Sequence, residues 1–206
     1  MNLILIGPPG SGKGTQARHI VKKFNYFQLS TGDLLREEIK KKTEFGNNIS
    51  KIINQGEFVT DEIVNTLLRK VITMKKNRNK IIFDGYPRNL SQAYNLEKLL
   101  ESDKQAIGSI IFLNVTKDNI SKRISGRYIC EKCNATLNEY TDNIEFKNHS
   151  CDNKFLIKRA DDKNETILKR YDTYMKQTKP VLEYYSSKSN FKEIDGDLKI
   201  IEITSK

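Results

Sequence analysis

The chain has 206 residues, enough for one well-buried core with a small insertion and short for two independent domains. No stretch approaches the roughly 20 apolar residues of a membrane span. With 36 basic against 26 acidic residues the net charge is +10, which limits charge-driven partners to nucleic acid, a membrane surface or small polyanions. The lysines fall in scattered runs such as Lys40-Lys41-Lys42, without interleaved aromatics, and read as solvated helix faces. Three cysteines is an odd count and the N-terminus enters an apolar run at once, so we expect a reducing, cytoplasmic location.

The first predicted strand, Leu3-Ile4-Leu5-Ile6, runs directly into Gly7-Pro8-Pro9-Gly10-Ser11-Gly12-Lys13-Gly14-Thr15. Backbone N–H groups can surround a polyphosphate only where no Cβ keeps them away. Gly10, Gly12 and Gly14 give that approach around Ser11, Lys13 can reach the β- and γ-phosphates, and Thr15 stands where a helix begins. A glycine-rich turn without a ligand is the alternative. Strand, loop and helix in direct succession favour a site for a nucleoside triphosphate. The helix is predicted from Lys13 to about Phe24, followed by strands near 27–29, at 81–83 ending on Asp84, at 110–113 and near 200–203. Short continuous apolar runs separated by helices predict an α/β fold, a three-layer phosphate-loop architecture around a parallel five-stranded sheet buried on both faces. Ligands of such sheets gather at the carboxyl ends of the strands.

Two segments interrupt this rhythm. Residues 30–60 read as helical throughout, and residues 126–162 carry the cysteines, turn-rich polar residues and short β-like pieces. Both are expected to project from the sheet as mobile covers, with residues 1–29, 61–125 and 163–206 forming the core.

The phosphate loop places its hydroxyl one residue late, at Thr15 after Gly14, the form found in nucleoside monophosphate kinases. Ser30-Thr31-Gly32-Asp33-Leu34-Leu35-Arg36, Asp84-Gly85-Tyr86-Pro87-Arg88 with Gln92, Gly126-Arg127 and Arg159-Ala160-Asp161-Asp162 follow in order and spacing. With these signatures over its whole length, the chain resembles the adenylate kinase family in its bacterial long-lid form. The resemblance implies reversible, Mg2+-dependent transfer of the γ-phosphoryl group of ATP to AMP, giving two ADP, with a helical AMP-binding insertion and a β-rich lid. It implies that residues 10–15 hold the ATP phosphates, with Thr15 near Mg2+ and Asp84 ordering its water. Arg123 would lie against the ATP adenine and Arg127 on phosphate, with smaller ATP contacts from Thr136, Leu137 and Leu198. AMP would be held by Thr31, Arg36, Glu57, Phe58, Val59, Gly85, Tyr86, Pro87, Arg88 and Gln92, with Gln92 reading the base. Arg159 and Arg170 would clamp the transferring phosphate, so that Lys13, Arg88, Arg127, Arg159 and Arg170 are the expected catalytic set. A monomer is expected.

The chemistry supports this without the family. The nucleophile is already a phosphate oxygen, so the protein must supply alignment and neutralisation of charge. Guanidinium groups stay charged and bind oxygens in a fork. Blander readings stand beside several of these roles. Asp33 could be the first-turn carboxylate of a helix capped by Ser30 or Thr31. Asp161 and Asp162 could act on lid closure or pair structurally with arginine. A UMP or CMP kinase, a GTP-dependent kinase, a nucleic-acid-binding ribbon and a nucleotide binder without turnover are the rival functions. The absence of aromatic platforms argues against nucleic acid.

Cys130-x2-Cys133 followed by Cys151 is three quarters of a zinc ribbon. The resemblance puts a fourth ligand three residues after the third cysteine, where this chain has Lys154, a poor ligand because its amine is protonated. His149 and Asp152 are the nearby substitutes. Either the lid holds a structural zinc through one of them, or it carries three free thiols and is held by packing and hydrogen bonds.

Overall fold

The structure is a computed structural model that describes residues 1–140, 149–159, 162 and 164–206. Its centre is a five-stranded, wholly parallel sheet in the order β2-β3-β1-β4-β8. The strands are β1 (Asn2–Ile6), β2 (Phe27–Ser30), β3 (Ile81–Asp84), β4 (Ile107–Asn114) and β8 (Phe191–Asp195). Parallel strands require crossovers, and helices supply them on both faces.

Alternation along the strands assigns each face its helices. Ile4, Ile6, Ile81, Phe83, Ile110 and Phe112 point into the larger core, where they meet Leu68, Leu96, Leu100, Val181 and Tyr185. The helices behind those residues are α4 (Asp61–Ile72), α5 (Leu90–Ser102) and α8 (Lys179–Ser186). On the other face Leu5 and Ile82 pack against Ala17 of α1 (Lys13–Phe24). Phe83 has no exposed surface, a burial worth about 2–3 kcal/mol for one side chain.

The segment after β2 is helical as far as Asn54, while residues 55–60, expected to be helical too, form a turn and an irregular connection. In α2 (Thr31–Lys40) the Ser30 hydroxyl accepts the N–H of Asp33 at 3.2 Å, and in α3 (Glu44–Asn54) Thr43 accepts that of Gly46 at 3.1 Å. Beyond β4, α6 (Lys117–Ser125) leads into a second, antiparallel sheet in the order β6-β5-β7, formed by β5 (Arg127–Cys130), β6 (Thr136–Asn138) and β7 (Leu156–Ile157). The chain then returns through α7 (Asn164–Thr173) and a π-helical turn at Tyr174–Thr178 into α8.

One expected strand is corrected. Residues 200–203 belong to a helix, α9 (Ile200–Ser205), and the last strand is β8. An apolar run of four suits either state. Here the Glu202 carboxylate accepts the Lys199 N–H at 3.1 Å and starts a helix, which Gln16 holds through the carbonyl of Ile200. Ile203 is buried while Ile201 faces solvent. No helix among the described residues is long and apolar enough to cross a membrane.

Candidate active site

One large cleft runs along the carboxyl ends of the strands, lined by the phosphate loop, α2, the turn after β3, the small sheet and the start of α9. The loop itself joins β1 to α1. Gly10 and Gly12 adopt left-handed φ of +79° and +94°, and a Cβ on Gly10 would lie 2.7 Å from Ile124 Cγ1. These positions therefore demand glycine. The ammonium group of Lys13 donates to the carbonyls of Gly7 at 2.8 Å and Pro8 at 2.9 Å and to Ser11 Oγ at 3.2 Å. Its pKa is lowered to about 8, first by burial and then by Arg88, Arg170 and Arg127, with Asp84 acting in the opposite direction. Thr15 lies in the first turn of α1, and the Asp84 carboxylate faces the backbone of Gly14, 3.4 Å from where a Cβ would stand. Asp84 is held by Gln28 Nε2 at 2.8 Å. A hydroxyl and a carboxylate beside the phosphate loop form the hard oxygen donor set that suits Mg2+.

A second part of the cleft is built on the turn between β3 and α5. Arg88 is held through side chain and backbone: its Nε donates to Gly85 O at 2.7 Å and its Nη2 to Thr31 Oγ1 at 3.2 Å. Its N–H donates to Gln92 Oε1 at 2.8 Å, and its carbonyl accepts from Thr178 Oγ1 at 2.8 Å. The guanidinium lies 4.8 Å from the centroid of the Phe58 ring. Thr31, Phe58, Val59, Tyr86, Arg88 and Gln92 line a narrow pocket opening beside the cleft. Pro87, which follows Tyr86 through a cis peptide, and Gly85 line the main cleft. Tyr86 donates to Asn65 Oδ1 at 3.0 Å. Arg36 also lines the cleft and pairs with Asp33. Burial alone would raise the Asp33 carboxyl, but Arg36 and the Ser30 hydroxyl hold it below its ordinary value. Asp33 thus occupies the first turn of α2, below the Ser30 cap. Glu57 is exposed and lies outside both linings.

On the opposite wall stand Arg123, Arg127, Thr136, Leu137 and Leu198. Arg123 Nη1 reaches Ser11 O at 3.5 Å, and its own carbonyl accepts from Asn138 Nδ2 at 2.6 Å, which ties α6 to β6. Arg127 and Arg170 both turn onto Asp162, whose side chain is only 3% exposed. Arg159 lines the same cleft. Of the expected Arg159-Ala160-Asp161-Asp162 signature, Ala160 and Asp161 lie outside the described residues. Two residues not singled out from sequence enter the site: Thr178, on the Arg88 carbonyl, and Asp61, on Gln92. An acid at the start of a helix and a threonine before Lys179-Pro180 carry no mark of such partners.

In the small sheet the donor atoms of Cys130, Cys133, His149 and Cys151 all lie within 4.8 Å of one another. Cys133 Sγ and His149 Nε2 are 3.2 Å apart. Three thiols and one imidazole gathered in this way are the soft donor set of a structural zinc site. Asp152, the other candidate, is turned away: it accepts the N–H of Lys154 at 3.0 Å and pairs with its ammonium at 3.2 Å.

The cleft is a large one walled by guanidinium groups beside a glycine-rich loop, and comparisons with known proteins show which family has it. The adenylate kinase family model matches residues 5–190. An adenylate kinase of Pelagibacter ubique is 61% identical over 206 residues, all of this chain and 97% of that protein. One of Mycoplasma capricolum is 40% identical over 199 residues, covering 96% and 92% of the two chains. One of Listeria monocytogenes is 38% identical over 204 residues, covering 98% and 95%. From the phosphate loop, the arginine-lined cleft and these full-length likenesses together, the chain belongs to the adenylate kinase family.

Proposed function

We propose that the cleft carries out the family reaction, phosphoryl transfer between ATP and AMP to give two ADP, by gathering fixed positive charge around two polyanions rather than by covalent chemistry. The observation that carries this is the convergence on one cleft of Lys13 with Arg88, Arg127 and Arg170, which act on Lys13 electrostatically. Phosphoryl transfer asks for little else than alignment and charge.

Residues 10–15 hold the ATP phosphates, with Lys13 leaving its own loop carbonyls to reach the β- and γ-oxygens. Mg2+ bound with ATP neutralises phosphate oxygens and would be held by Thr15 and Asp84. Arg123 lies against the donor base, with Thr136, Leu137 and the backbone of Leu198 around it. Thr31, Arg36, residues 57–59, residues 85–88 and Gln92 hold AMP, with Gln92 on its base. Arg127, Arg159 and Arg170 hold the group in flight. Residues 30–60 and 126–162 close over the two nucleotides and exclude water, the competing acceptor, against a core of residues 1–29, 61–125 and 163–206. A zinc held by Cys130, Cys133, His149 and Cys151 ties together the strands of the lid. The enzyme works as a cytoplasmic monomer without nucleic acid or membrane.

Substituting Lys13→Ala or Arg88→Ala tests this directly. We expect kcat to fall by about 100-fold or more while circular dichroism and melting report a folded protein. Full activity in either variant would remove that residue from the mechanism.

A further inference from the structure

We propose that Asp61 is a positioning residue that fixes which way the Gln92 amide faces, and so selects 6-amino over 6-oxo purine monophosphates at the acceptor site. The proposal rests on Gln92 meeting the base, as argued above.

Gln92 is 1% exposed and sits in the first turn of α5, where the Asn89 side chain accepts its backbone N–H at 2.8 Å. Both ends of its side-chain amide are engaged. Nε2 donates to Asp61 Oδ1 at 2.7 Å, and Oε1 accepts the Arg88 N–H at 2.8 Å. The same Asp61 oxygen takes a second hydrogen bond from Asn89 Nδ2 at 3.0 Å. A carboxylate can only accept and a backbone N–H can only donate. Rotating the amide by half a turn would set oxygen against oxygen at Asp61 and hydrogen against hydrogen at Arg88. Chemistry therefore imposes one orientation. The common role of an acid in the first turn of a helix, facing the helix dipole, accounts for a carboxylate at position 61. It does not account for one oxygen taking two amides from the start of another helix.

Each end of the Gln92 amide keeps one further capacity, a second hydrogen on Nε2 and a second lone pair on Oε1. The amide borders the narrow pocket with Thr31, Phe58 and Val59. A 6-aminopurine presents an acceptor at N1 and a donor at its amino group, which complements that pair. A 6-oxopurine presents a donor at N1 and an acceptor at O6, so both contacts become like against like. Unmatched polar groups in a buried pocket discriminate far more strongly than a missing apolar contact. If the amide were free to turn, it would serve either base. Asp61 and the Arg88 N–H prevent this from the two ends of the amide, and Asp61 is the one of the two that a side-chain substitution can remove.

Inosine monophosphate is the probe, because it differs from AMP at N1 and C6 alone. The quantity measured is the ratio of kcat/KM for AMP to that for inosine monophosphate, in the wild type and in Asp61→Asn, whose amide can accept or donate. We expect the ratio to fall by about tenfold in the variant, mainly through KM. A loss of packing would lower both substrates alike and leave the ratio unchanged, and an unchanged ratio overturns the proposal. If Asp61→Asn does not fold, Asn89→Ser keeps a capping oxygen but removes the second donor to Asp61. The ratio is then expected to fall by about threefold, and constancy again overturns the proposal. Gln92→Ala separates the layers. A raised KM for AMP supports Gln92 as the base reader and leaves Asp61 to be judged by the ratio. An unchanged KM removes both the reader and its lock.

Discussion

Arg127 closes on Asp162 with one edge of its guanidinium group, Nε donating to Oδ2 at 2.8 Å and Nη2 to Oδ1. Arg170 adds a longer contact to the same carboxylate at 3.6 Å. Two arginines expected on nucleotide phosphates are thus gathered by a buried carboxylate, whose oxygens carry negative charge as those of a phosphate do. Asp162→Asn removes the anion that these two guanidinium groups share. Breaking a largely buried pair from one side is expected to cost about 3–5 kcal/mol. Saturating ATP should recover part of that loss by bringing phosphate oxygens to the same arginines. Melting curves with and without ATP measure this, and an equal deficit in both would show that Asp162 does not stand in for phosphate.

Lys13 sets a pH dependence of donor binding. In the free protein burial, reinforced by three arginines, lowers its pKa to about 8, whereas bound phosphates favour the ammonium form and raise it. Above pH 8 the free side chain is largely neutral, so binding ATP must draw a proton from solution. Well below pH 8 it is already charged, and Lys13 takes up none. Calorimetric titration of ATP at pH 8.5 in buffers of different ionisation enthalpy is expected to show proton uptake that disappears in Lys13→Met. Equal proton exchange in the two proteins would contradict the assignment.

Whether the cysteine–histidine cluster of the small sheet holds zinc can be read without an activity assay. Elemental analysis is expected to find about one zinc per chain, with His149→Ala losing it and Asp152→Ala keeping it. Removing the metal from the wild type should lower its melting temperature, because a structural ion contributes its binding energy to folding. A metal-free wild type whose melting is unmoved by chelator would leave three thiols and a histidine grouped without an ion.

Much of this arrangement was legible in the chain itself. β1 and the phosphate loop are contiguous, so a buried apolar run and glycines at fixed spacing mark them without tertiary information. The strand at residues 191–195 carries little signal because it lies at the sheet edge beside β4 and has only Phe191 and Ile194, three positions apart, among charged residues. The apolar run at residues 200–203 took its place by appearance, yet capping by Glu202 and the grip of Gln16, 184 positions away, make it helical. Similar distances hid Asp61 and Thr178, which meet Gln92 and Arg88 across 31 and 90 positions. The choice of His149 over Asp152 needed the fold of the small sheet, since both stand within two residues of Cys151.

The central claim is that this cleft moves a phosphoryl group from ATP to AMP. A coupled assay of ADP formation from ATP and Mg2+, with AMP, UMP, CMP and GMP offered in parallel, tests it most directly. The account predicts rapid turnover with AMP and little with the others. Turnover with UMP or CMP in place of AMP would contradict the reading of Gln92, and no turnover with any acceptor would contradict the account itself.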